Sequence, residues 1–136
     1  MPNPEENQRT VLAFFKAWEK GTFDDLAAAY TQYLAADVIY ENSGVPPCHG
    51  IDESVAFIRA ACSMPSLQIQ SITVAVRNIA AVGNLVFTER TDFHYDAAGV
   101  ATLVPELCGV MEFNDAGKIQ RWADYFDPGP MLAAIA

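Results

Sequence analysis

Positive charge is scarce in this chain. Eight lysines and arginines stand against seventeen acids, a formal net charge of −9 over 136 residues. Nucleic acid or an anionic membrane surface calls for a clustered basic patch, and the eight basic residues are scattered, so neither partner is expected. No apolar run approaches the ~20 residues of a membrane span. The first residues, Met-Pro-Asn-Pro-Glu-Glu, carry no basic n-region and no apolar h-region, so no signal peptide is expected. Cys48, Cys62 and Cys108 are odd in number and widely spaced. That fits reduced thiols in a cytoplasmic protein better than a disulfide framework. No Cys/His cluster has the spacing of metal ligands, Cys48-His49 included. Internal repeats, low-complexity segments and linkers are also absent, so residues 1–136 read as one domain.

What is present is apolar periodicity. About half the residues are hydrophobic (51%), enough for a core with a pocket. Asn3-Pro4-Glu5-Glu6 is a helix start, with Asn as N-cap, Pro in the first turn and acids at the positive end of the dipole. Val11, Phe14, Phe15 and Trp18 then recur at helical spacing until Gly21, which is expected to end the run. Thr22 is placed to cap a second helix from Phe23 to about Leu34, with Leu26, Ala29, Tyr30 and Tyr33 on one face; the two helices should form a tight hairpin. A short strand is expected over Val38–Asn42, and a loop over Ser43-Gly44-Val45-Pro46-Pro47 with Cys48 and His49 as loop residues. Gly50 leads into a third helix, Ile51 to about Cys62, buried along Val55, Ile58 and Cys62.

The second half reads as strands. Leu67 and Ile69 alternate, then Ile72, Val74 and Val76 alternate out of phase, which predicts a bulge near Gln70-Ser71. Leu85–Tyr95, Val100–Phe113 and Lys118–Phe126 follow, separated by turns at Asp96–Gly99 and Asn114–Gly117; Pro105 predicts an edge or a bulge within the middle one. Pro128-Gly129-Pro130 ends the last strand, and the apolar tail Met131–Ile135 is expected to cover the core or a pocket. Helices first and an antiparallel meander afterwards is an α+β pattern: N-terminal helices packed in a strongly curved, mixed or antiparallel sheet that forms a cone with a deep pocket.

Two of these strands carry polar groups among apolar ones. Arg90 and Asp92 share a face, two residues apart, with Thr88 and His94 in the same row. Trp122, Asp124 and Phe126 share a face on the last strand. A carboxylate between two large aromatics is costly to bury unless it is paired, hydrogen-bonded or protonated, and Arg90 is its obvious partner. Two aspartates around one arginine suit acid–base work, one ionised and the other holding a proton. The same residues equally describe an ion pair that holds strands in register. Tyr40 likewise reads as a core tyrosine, and Asn42 as the start of the following turn.

Taken jointly, Tyr40-Glu41-Asn42, Thr88-Glu89-Arg90-Thr91-Asp92 and Trp122-x-Asp124-Tyr125-Phe126-Asp127 resemble the limonene-1,2-epoxide hydrolase family, of the cystatin-like, NTF2-like cone folds. The likeness spans nearly the whole chain. It implies hydrolysis of a small apolar epoxide by water, without metal, organic cofactor or covalent intermediate. By resemblance Asp124 is the general base, Tyr40 and Asn42 hold the water, Asp92 is the general acid, and Arg90 keeps the two carboxyls in different protonation states. Phe126, Trp122 and Met131 would be pocket walls. Two rival readings are a ketosteroid-isomerase-like or polyketide-cyclase-like enzyme on the same cone, and a non-catalytic module that binds a small ligand or only dimerises. Leu103, Leu107, Met111 and Phe113 occupy one side of their strand and Val104, Cys108 and Val110 make the other side apolar too, so one face is expected to pack on another chain; the resemblance likewise implies a homodimer.

Overall fold

The computed structural model describes residues 2–19 and 21–135. Its elements follow in the order α1 (Pro4–Trp18), α2 (Phe23–Tyr33), β1 (Leu34–Asn42), β2 (Cys48–His49), α3 (Gly50–Cys62), β3 (Ser71–Val82), β4 (Leu85–Tyr95), β5 (Ala101–Leu103), β6 (Glu106–Phe113), β7 (Ile119–Phe126) and α4 (Gly129–Ile135). The strands form one mixed sheet in the order β2-β1-β7-β6-β4-β3, with β5 paired to β4. β1 and β7 run parallel; the other pairs are antiparallel. This is the α+β architecture that the helices-then-strands pattern predicts, with helices packed against a curved mixed sheet.

The helix starts are local chemistry. Asn3 Oδ1 accepts from the Glu6 backbone N–H at 3.1 Å, and its amide donates to the Glu6 carboxylate. Thr22 and Asp25 form a reciprocal capping box at the head of α2, which satisfies two backbone donors that would otherwise be orphaned. Gly21 does not close α1 in the left-handed conformation: Glu19 is the C-cap and is extended. The glycine makes room instead, since a Cβ there would meet the Asp25 carboxylate at 2.8 Å.

The helices close the concave side of the sheet with aromatic rings. Phe14 is fully buried among Trp18, Tyr30, Tyr33 and Trp122, with ring centroids 5.2–6.0 Å away. Tyr40 stacks on Trp122 at 4.2 Å. This cluster fills one end of the cone and leaves the other for a cavity.

Several boundaries differ from the sequence reading, each for a tertiary reason. The chain turns into β1 at Leu34, four residues before Val38, because Leu34 already pairs with Ile119 of β7; the register slips before Ile39. Cys48 and His49 are strand rather than loop, pairing with Tyr40 and Ile39. Leu67 and Ile69 are not strand: a turn over residues 65–67 and an irregular segment over 68–70, with Gln68 at φ +46°, lead into β3, and the bulge lies between Val76 and Asn78 and not near Gln70-Ser71. The stretch Val100–Phe113 divides at Val104-Pro105 into β5 and β6, and there the Pro105 carbonyl accepts from the Asp92 N–H at 3.1 Å. Gly129 and Pro130 begin α4 rather than a loop, and Met131 on that helix is buried. No helix among the described residues is long and apolar enough to cross a membrane.

Candidate active site

Strand alternation places the polar residues in one row across the concave face. Asn42 pairs with Asp124, Asp124 with Gly109, and Gly109 with Thr88. One step along, Tyr40 lies beside Trp122. Two and four residues beyond Thr88, on the same face of β4, are Arg90 and Asp92. Ser43 extends the β1–β7 ladder past its end: its N–H donates to the Asp124 carbonyl, and its hydroxyl accepts from the Phe126 N–H at 3.1 Å.

Arg90 is completely buried and bridges both aspartates. Its Nε donates to Asp92 Oδ1 at 3.0 Å and its Nη2 to Asp92 Oδ2 at 3.3 Å. The same Nη2 donates to Asp124 Oδ2 at 2.8 Å, and Nη1 donates to Thr88 Oγ1 at 3.0 Å. Phe15 of α1 covers the guanidinium, with Cζ 4.8 Å from the ring centroid, a favourable cation–π placement. Asp124 gains a second donor, Trp122 Nε1, on Oδ1 at 2.9 Å.

The electrostatics follow from one cation facing two carboxyls out of water. Burial pushes the pKa of Asp92 and of Asp124 above the usual carboxylate range, while Arg90 pulls both down and Trp122 helps hold Asp124 ionised. Burial opposes the charge of Arg90, but the two aspartates outweigh it and keep the guanidinium protonated. Burial, then the neighbouring Asp124 charge, raises the Tyr40 phenol, against a lowering contribution from Asn42; Tyr40 is a neutral hydroxyl at any ordinary pH.

The site forms one wall of a cavity with about 120 Å³ of water-accessible space. Tyr40, Asn42, Asp92, His94, Asp124 and Asp127 are its side chains with polar groups near the reactive end or rim; the remaining lining is mainly apolar, from α3, the segment Leu67–Ile72, β5, β6 and α4. Phe126 and Met131 line it as expected. Trp122 does not. It is buried behind the site, stacked under Tyr40, and acts on Asp124 through its indole N–H. Alternation correctly puts Trp122 on the Asp124 face, but the helices cover that end of the cone. His94 lines the cavity; its Nδ1 lies 3.0 Å from the Leu103 carbonyl, which can only accept, so Nδ1 carries the proton. Burial lowers the pKa of His94, so the ring is neutral near pH 7.

The structure thus brings Tyr40, Asn42, Arg90, Asp92 and Asp124 together. Phe57 and Ile58 also line the cavity, Thr88 is the third acceptor of the arginine, and Gly109, to which the sequence reading gives no role, leaves the space beside it. Thr88 is detectable as the polar residue two before Arg90 on its face, and Gly109 as a glycine in mid-strand, which signals close approach. No group of three or more His, Cys, Asp or Glu among the described residues is arranged to hold a metal ion.

A curved mixed sheet over helices that encloses an apolar cavity is the architecture of the NTF2- and SnoaL-like cone folds. Solved structures agree: a protein described as a putative SnoaL-like polyketide cyclase, from Jannaschia sp. CCS1, matches 99% of this chain and 94% of its own at TM-score 0.77 and 17% identity, a likeness of fold alone. The model of the limonene-1,2-epoxide hydrolase catalytic domain matches residues 5–136. Epoxide hydrolase EphG of Mycobacterium tuberculosis is 33% identical over 127 residues, spanning 92% of this chain and 76% of the relative. The structure of an M. tuberculosis LEH-like epoxide hydrolase superposes at TM-score 0.72 with 30% identity, over 98% of this chain and 87% of that one. The chain belongs to the limonene-1,2-epoxide hydrolase family and is an enzyme of the epoxide hydrolase class.

Proposed function

We propose that this enzyme adds water to a small, cyclic or terpene-like epoxide in a single acid–base step, giving a vicinal diol, and that it works as a homodimer. The observation that carries the mechanism is the single buried arginine shared by two carboxyls on the wall of an apolar cavity. One positive charge cannot balance two buried negative ones, so the cluster favours one retained proton. Asp124 is the better seat for the charge. Each carboxyl accepts two hydrogen bonds, Asp92 both from Arg90 at 3.0 and 3.3 Å, Asp124 one from Arg90 at 2.8 Å and one from the Trp122 indole; the shorter ion contact and the separate indole donor assign the charge to Asp124. Asp92 then keeps the proton.

In this reading Tyr40 and Asn42 position a water against Asp124. Asp124 takes its proton as the oxygen attacks an epoxide carbon. The ring C–O bond breaks, and Asp92 gives its proton to the departing oxygen. Asp124 ends protonated and Asp92 ionised; one proton exchanged with solvent restores the start. Concerted push and pull keep either charge from building up alone. The two aspartates titrate as a pair.

Asp92→Asn and Asp124→Asn should each lower epoxide hydrolysis by at least ~10²-fold, and the two losses should not add, since acid and base act in one transition state. Single-turnover reaction in heavy-oxygen water should label the diol and leave the protein unlabelled. Label in the Asp124 carboxylate would indicate an ester intermediate and end the one-step reading. Assays should span cyclic terpene-type and linear epoxides, with a Δ5-ketosteroid as the isomerase control.

A further inference from the structure

Gly109 sits in the middle of β6, between Thr88 of β4 and Asp124 of β7. A mid-strand glycine gives up packing and adds chain entropy to be lost on folding. Its backbone does not require glycine, for it is not among the residues with positive φ. The space does. A Cβ at position 109 would lie 2.5 Å from Arg90 Nη1, 2.6 Å from Asp124 Oδ1 and 3.1 Å from Thr88 Oγ1. These neighbours are side-chain ends, which elsewhere would swing away at little cost. Here they are buried and tied to one another. Phe15 limits retreat of the guanidinium on the helix side. Thr88 supplies its remaining contact, the one acceptor that is not a carboxylate.

We propose that Thr88 and Gly109 are positioning residues for the hydrolysis: Gly109 leaves the room, and Thr88 the anchor, that fix the plane in which Arg90 bridges Asp92 and Asp124. The guanidinium is a rigid planar fork. Displacing Nη1 therefore also swings Nη2, which reaches both carboxyls. The inference rests on the acid–base reading of the site.

The test pairs Thr88→Val, which keeps the shape and removes the acceptor, with Thr88→Ser, which keeps the acceptor. Thr88→Val should lower kcat on the order of 10- to 100-fold, the scale of one charge-assisted hydrogen bond, with KM little changed. Thr88→Ser should restore most of the rate. Gly109→Ala should act like Thr88→Val. In both damaged variants the acidic limb of the kcat profile should move to higher pH, because Arg90 holds the carboxyls down. Carboxyl 13C titration of the substrate-free protein should register the same upward movement of Asp92 and Asp124, and none in Thr88→Ser. Folded Thr88→Val or Gly109→Ala protein with wild-type kcat and wild-type titration would overturn the proposal, as would equal losses in Thr88→Val and Thr88→Ser. If Gly109→Ala does not fold, the Thr88 pair decides. If wild-type protein opens no epoxide, the one-step hydrolysis falls, and the carboxyl titration still decides whether Thr88 and Gly109 seat the arginine.

Discussion

Two carboxyls buried around a single guanidinium give the fold a pH dependence with a definite sign. Burial raises both aspartates above an unfolded value of ~3.9. At these two groups the folded protein therefore binds more protons than the unfolded chain from about pH 3.9 upward, and their contribution to stability falls with rising pH across that window. The contribution is fully present below the unfolded pKa and is lost as pH rises through the folded values. Asp92→Asn removes one of the two raised groups and relieves the other, since the Asp92 charge is one of the things raising Asp124. Thermal melts of wild type and Asp92→Asn across weakly acidic pH should give a difference that shifts against the wild type as pH rises, with the remaining carboxylates cancelling. A flat difference would mean that Arg90 offsets burial, and one that runs the other way that Arg90 outweighs it. The charged row is legible in the sequence because alternation on β4 and β7 fixes which side chains share a face. The Trp122 assignment failed because sharing a face does not say whether cavity or core lies above it; the rings of α1 and α2 decide that.

At the scale of elements, α1 is held by its rings more than by its cap. Phe14 has no exposure and meets five other aromatic rings, whereas Asn3 acts at an exposed first turn. Phe14→Ala should cost about 3–5 kcal/mol in denaturant unfolding, and Asn3→Ala only about 1 kcal/mol. A comparable cost for the two would show that the cluster collapses around the missing ring. The elements the sequence reading found are those with long periodic patterns or side-chain caps, α1, α2, β4 and β7 among them. Those it lost carry no such pattern. β2 is two residues long and exists only because β1 offers an edge. β1 begins early because β7 pairs with Leu34. α4 begins inside a Pro-Gly-Pro segment that read as a stop, and Met131 gives it a buried contact at the cavity.

At the scale of the molecule, the sheet has used one face for the cavity and left the other uncovered. On that outer face Phe87 pairs across with Val110, and Val110 with Ala123; the next row carries Cys108 beside Tyr125. Phe87 is 40% and Tyr125 53% exposed. Arg121 lies at the border, tied to Glu41 at 2.8 Å and to the Tyr125 hydroxyl at 3.2 Å. Adjacent apolar side chains with a polar rim are the composition of a partner surface, and a face on a single chain that meets its own copy closes as a two-fold dimer. Sedimentation at micromolar concentration should therefore give twice the 14.8 kDa chain mass. Phe87→Glu should convert the protein to monomer, by setting a charge in the patch and beside Glu89. The row of Arg90, Asp92 and Asp124 and the aromatic core lie on the other side of the sheet, so the monomer should keep its fold by circular dichroism. A wild-type mass of one chain throughout that range would rule the dimer out; a Phe87→Glu protein that remains dimeric would move the interface off this face.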